Sequence, residues 1–117
     1  MNRKSAAKAP PDEPRMSRTA DHVDAFNLAV TTGDWDTFAD RFAADATMRF
    51  VGVPVGPFEG RAAIAAAYRE NPPGETMVLL EDGDERARFR WSGGGTGSME
   101  LRWAPDGAVQ ALTVSFD

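Results

Sequence analysis

The apolar positions of this chain keep one period in its first half and another in its second. From Thr19 the spacing is helical: Val23, Phe26, Ala29 and Val30 recur on one face. Thr19 or Asp21 is the expected cap, and Gly33 the stop. Asp34 can cap a second helix over 35–43, where Trp35, Phe38 and Phe42 fall at i, i+3 and i+7. "ATMRFVGV" reads as a strand and "PVGP" as a turn. Gly60 precedes a third helix, "RAAIAAAYREN", which Pro72 and Pro73 stop. Beyond them the period is two. "ETMVLLE", "ERARFRW", "GSMELRWA" and "AVQALTVSF" read as strands. Asp82-Gly83 and Asp106-Gly107 mark tight hairpins, and "SGGGTG" a looser one. The order α-α-β-α-β-β-β-β predicts an α+β fold, with three N-terminal helices on a curved, mainly antiparallel sheet.

The alternation assigns the faces. Ala87, Phe89 and Trp91 point one way, as do Met99, Leu101 and Trp103, and Leu112, Val114 and Phe116. Arg86, Arg88, Arg90, Glu100, Arg102, Thr113 and Ser115 point the other way. On the first strand Met48 and Phe50 face the helices, and Thr47, Arg49 and Val51 face out. A curved sheet wrapped over helices makes a cone. Its aromatic side chains either line a ligand cavity or fill it.

Composition narrows the classes. At 117 residues the chain is one domain with one core. Residues 1–17 begin "MNRKSAAKAPPDEPR", rich in Pro, Ala and charge, and are expected to form a disordered tail before a single domain over 18–117. Net charge is −5 overall, but residues 16–117 hold nine basic and sixteen acidic residues, a net of −7. An acidic body argues against nucleic-acid binding. No apolar run reaches the roughly 18 residues needed to span a membrane, and no apolar stretch follows the N-terminal charges as a secretory signal requires. The expected location is cytoplasmic. With no cysteine, one histidine and scattered carboxylates, no metal site is expected. "SGGGTG" does not open a helix, so it is no phosphate cradle, and no cofactor is expected.

The segments "AVTTGDWDTFADRFAADATMRF" and "FEGRAAIAAAYREN", in this order and spacing and followed by the meander, resemble the NTF2-like superfamily in its SnoaL-like, ketosteroid-isomerase-like branch. The resemblance covers about residues 19–116 and implies the cone fold. Superfamily members include isomerases, dehydratases, epoxide hydrolases, polyketide cyclases and noncatalytic modules, so fold alone leaves function open. Where ketosteroid isomerases carry an oxyanion-donating tyrosine this chain has Phe26. Where they carry the aspartate base it has Phe50, and where a protonated aspartate completes the oxyanion hole it has Met99. None of the three supplies a base or a donor. The inward Asp-Arg-Asp set of the epoxide hydrolases is absent as well.

The polar groups left for the interior are few. Tyr68, the only tyrosine, matches one that networks with the isomerase's oxyanion donor; the plainer reading is a core tyrosine with a satisfied hydroxyl. His22, the only histidine, lies four residues before Phe26 and is expected near the cone's mouth as an acid-base group, or as a solvated or capping residue of the first turn. Asp45 is expected to bond backbone amides in a turn. Glu59 and Arg61 read as a helix-start pair.

Two functions follow. One is a protein that holds a small hydrophobic molecule in a pocket, with isomerase-, dehydratase- or cyclase-like turnover by His22 and Tyr68. Its expected wall is Phe26, Phe50, Tyr68, Phe89 and Trp91, with Met99, Leu101, Trp103 and Phe116. The other is a noncatalytic dimeric module with a filled cone, either structural or binding a partner through its sheet. The resemblance implies a homodimer through the outer sheet face, where Arg88, Arg90 and Arg102 project beside Glu100.

Overall fold

A computed structural model describes residues 17–117. The expected tail, apart from its last residue, lies outside the described residues. Ser17 belongs to the fold: its Oγ accepts from the Ala20 amide at 2.9 Å and caps helix α1, Arg18–Thr32. This replaces the caps expected at Thr19 or Asp21. Thr19 is fully buried, and its hydroxyl donates to the Asp84 carbonyl at 3.1 Å. Gly33 ends α1 in the left-handed conformation (φ 79°), with its N–H on the Ala29 carbonyl at 2.7 Å.

Asp34 caps α2 through the Thr37 amide at 3.1 Å, but α2 is only Trp35–Ala39. The expected helix over 35–43 stops short because the chain turns at residues 40–41 and enters β1, Phe42–Val51. Phe42 still reaches the core that the helical spacing assigned it, now from a strand. Its first pairing is to Val109, and the Val109 amide donates to the Arg41 carbonyl at 2.9 Å. Next comes a two-residue strand without a sequence signal, β2, Phe58–Glu59. Helix α3, Arg61–Glu70, follows. The meander is β3, Met77–Asp82; β4, Arg86–Trp91; β5, Thr96–Trp103; and β6, Val109–Phe116.

The six strands lie in the order β2-β1-β6-β5-β4-β3. Every pair is antiparallel except β1 with β6, which is parallel, so the sheet is mixed. Irregular register breaks the ladder between β1 and β6, between β3 and β4, and between β5 and β6. Such breaks bend a sheet and raise its twist. The inner rows run Phe50–Val114–Met99–Ala87 and Met48–Leu112–Leu101 across adjacent strands. Gly97 faces Phe89 on β4; a Cβ there would stand 2.8 Å from the Phe89 ring, so the missing side chain lets that ring lie on the strand.

The helices cover this inner face. Asn27 docks α1 on β3 with two bonds to Met77: its Oδ1 accepts from the amide at 2.8 Å, and its Nδ2 donates to the carbonyl at 2.9 Å. At the far end of α1, Arg18 pairs with the Asp84 carboxylate and lies 4.8 Å over the Trp103 ring, while Trp103 Nε1 donates to the Asp84 carbonyl at 2.6 Å. That clamp closes one end of the cone. Phe38, Phe42, Phe89, Met99 and Leu101 fill its interior, each at most 2% exposed.

Candidate functional site

The cone stays open at the end away from Trp103. A cavity of about 360 Å³ sits there, walled by Phe26 of α1, Phe50 of β1, Tyr68 of α3 and Met77 of β3. Trp91 of β4 and Val114 and Phe116 of β6 complete the wall, and Pro73, Gly74 and Glu75 form the rim. The Trp91 and Phe116 rings stack at 6.1 Å, and Phe116 stacks on Phe50 at 6.2 Å. A second cavity, also about 360 Å³, adjoins it on the α3 side. Met48, Val55, Phe58, Ala67 and Asn71 line it, and it shares Phe50, Tyr68 and Pro73 with the first.

Five of the nine expected wall residues face the first cavity: Phe26, Phe50, Tyr68, Trp91 and Phe116. Phe89, Met99 and Leu101 lie beneath it as packed core. Trp103 stands at the closed end, held by Asp84. The rim at 73–75 and Met77 are not among the expected wall residues. The double proline that stops α3 was the available signal, since the chain leaving it has to cross the open end. Of the three isomerase positions, Phe26 and Phe50 are on the cavity wall, and Met99 is buried behind it.

Tyr68 is the one side-chain hydroxyl on either wall. Its ring lies on Trp35 at 4.7 Å and meets Phe38 edge-on at 5.3 Å. Burial alone pushes its pKa up, so the group stays a neutral phenol, a hydrogen-bond donor at any physiological pH.

His22 is neither solvated nor a cap, and it is not at the mouth. It is 3% exposed, set against Phe38 at 5.1 Å and Phe42 at 5.8 Å. Burial, helped by the charge of Arg41, lowers its pKa to about 3. Its Nδ1 and the Arg41 Nε are buried without a hydrogen-bond partner. The Phe38 ring contacts both His22 and Tyr68, and neither cavity is lined by His22. The structure therefore does not join the two into an acid-base pair. Asp45 accepts from the Gln110 amide side chain at 3.1 Å instead of bonding backbone amides. Arg61 donates to the Phe42 carbonyl at 2.9 Å, tying α3 to β1. The remaining carboxylate at the open end, Glu75, accepts from the Gly93 amide at 2.7 Å.

On the outer face one row runs Arg49–Thr113–Glu100–Arg86 across four strands. Arg86 pairs with Glu100 at 3.2 Å and Arg88 with Asp117 at 3.3 Å. A groove of about 800 Å³ crosses this face beside Arg49, Arg86, Glu100 and Arg102. Among the described residues no group of three or more His, Asp or Glu could hold a metal, and no helix is long and apolar enough to cross a membrane.

A family model described as SnoaL-like domain matches residues 18–109. No curated protein matches the sequence. Among solved structures the chain is similar to a computationally designed 17-OHP binder: TM-score 0.66 at 11% identity, covering 88% of this chain and 93% of the other. It is similar to RV0760c from Mycobacterium tuberculosis, with TM-score 0.65 at 14% identity over 88% and 93% of the two chains. It also matches part of the Orange Carotenoid Protein of Anabaena (Nostoc) sp. PCC 7120 binding canthaxanthin. There the TM-score is 0.57 at 15% identity, over 81% of this chain and 35% of that one. At such identities the likeness is one of fold, three helices on a curved mixed sheet.

Proposed function

The chain belongs to the SnoaL-like domain family, and on that premise we propose that it binds a small, mainly apolar molecule at the open end of its cone. The observation that carries this reading is the aromatic cavity itself. Its volume falls in the range of small-molecule sites, and its wall is mainly apolar with a few polar groups, among them one side-chain hydroxyl, the usual make-up of such sites. Two fold neighbours, a designed 17-OHP binder and a carotenoid protein binding canthaxanthin, are in keeping with it. The wall offers no general base at the isomerase positions, where Phe26 and Phe50 stand; Glu75 on the rim accepts from the Gly93 amide, and His22 is sealed behind Phe38. Binding without turnover is the reading these groups support best.

A titration with the apolar fluorophore N-phenylnaphthylamine tests it. Saturable one-to-one enhancement is expected. Gly74→Trp should weaken it at least tenfold, because Gly74 sits on the rim with open space where a side chain would start. Wild-type protein that shows no saturable binding would reject the reading.

The outer sheet face carries a second proposal, pairing of two copies. Among the described residues Arg49, Arg90 and Arg102 are exposed there and form no ion pair, in a body that is otherwise acidic. Arginine forks of one copy can meet Glu100 of the other across a two-fold axis.

A further inference from the structure

Two cavities adjoin at the open end of the cone. They share three residues, and Phe50 belongs to both walls in a particular way. Its ring meets Phe116 of the first cavity at 6.2 Å, stacked, and Phe58 of the second at 6.4 Å, edge-on. Phe50 is thus a partition one ring thick between two apolar spaces. It is half-buried, with no polar atom to hold it. Tyr68 also lines both spaces and presents their one side-chain hydroxyl. The second cavity is roofed by Val55 of the β1–β2 connection, which is 48% exposed, and floored by Met48 and Ala67.

We propose that the two cavities are the halves of one bent trough, and that the ligand is an elongated, mainly hydrocarbon molecule. It passes around Phe50 with a hydrogen-bonding oxygen set at Tyr68. This rests on the binding reading above and adds a length requirement to it. A compact ligand fills the first half and leaves the second to water. A chain that turns past Phe50 buries its further methylenes against Met48, Phe58 and Ala67. Each methylene taken out of water there strengthens binding about fourfold.

Straight-chain primary alkanols from hexanol to tetradecanol, titrated by tryptophan fluorescence, read this length directly. Wild-type affinity is expected to climb about fourfold per carbon and to level off only at the long end of the series. Val55→Trp, placed on the exposed roof of the second cavity, should bring the levelling-off to a shorter chain and leave hexanol affinity within about twofold. Ala67→Leu narrows the same cavity from α3 and should act likewise; thermal melts of both confirm that each is folded. A levelling-off length unchanged in both variants would overturn the trough while leaving the single-cavity reading intact. Failure of every alkanol to bind wild-type protein would overturn the binding reading and the trough with it.

Discussion

Tyr68 lies flat on Trp35, with ring centroids 4.7 Å apart and planes within 5° of each other. The stack joins α3 to α2 and sets the tyrosine's edge against Phe38 and Phe26. A hydroxyl on so fixed a ring is pre-placed for a ligand, at little entropic cost on binding.

Tyr68→Phe keeps the stack and deletes the donor. Octanol affinity is expected to fall about two- to tenfold, as one neutral hydrogen bond allows, with unfolding free energy within about 1 kcal/mol of wild type. Tyr68→Ala should lose the stack as well and cost about 3–5 kcal/mol. Parallel titrations and urea unfolding separate the two effects.

Phe38 and Phe42 anchor the closed part of the core, at 2% and 0% exposure. Each truncation to alanine is expected to cost about 3–5 kcal/mol, read from the urea midpoint at unchanged slope. A loss well under about 1 kcal/mol at Phe42 would contradict its placement at the start of β1.

His22 should make stability depend on pH above the carboxylate range. The folded pKa is about 3 against 6.5 for an ordinary histidine, so the unfolded chain takes up the proton first. Stability is expected to fall as pH drops below about 6.5 and to go on falling toward about 3, by up to ~1.4 kcal/mol per unit. Asp34, Asp84 and Asp117, held below the usual carboxylate range by Thr37, Arg18 and Thr96 respectively, add their own loss only below about 4. Unfolding between pH about 4.5 and 6.5 therefore isolates the histidine. His22→Leu should flatten that interval; an equal slope in the variant would mean His22 is solvated.

No ketosteroid-isomerase turnover is expected above background. Phe26 and Phe50 offer neither donor nor base at the cavity wall, and Met99 is buried behind it. An assay with a β,γ-unsaturated 3-ketosteroid checks this, and saturable turnover would require a base other than those positions.

Pairing through the outer face predicts a dimer mass by light scattering at micromolar concentration. Arg90→Glu with Arg102→Glu should return the protein to monomer without lowering its melting temperature by more than a few degrees, since both side chains are exposed. A dimer that survives the double change would place the contact elsewhere.

Much of this architecture was legible along the chain. Strict alternation in "ERARFRW" and "SMELRW" set which side chains enter the cone, because successive strand residues point to opposite faces. Gly33 and Asp34 punctuated the helices through backbone geometry and capping that act within a few residues. The aromatic positions at the open end, Phe26, Phe50, Trp91 and Phe116, followed from the same faces. What depended on distant partners was not legible. Trp35, Phe38 and Phe42 fit a helical period whether Phe42 ends a helix or begins a strand; its pairing with Val109, sixty-seven residues on, decided for the strand. The parallel β1–β6 ladder and the two-residue β2 arise in the same way, since a strand edge takes whatever partner the fold brings to it. His22 has the local setting of a surface helix residue, and only the closing of α2 and β1 over it, with Phe38 and Phe42, made it buried and neutral. Whether the cone was filled or open rested on three-dimensional packing. Phe89, Met99 and Leu101 close its interior, and the loop after the double proline leaves space between Phe26 and Phe116, a difference of volume that no residue pattern encodes.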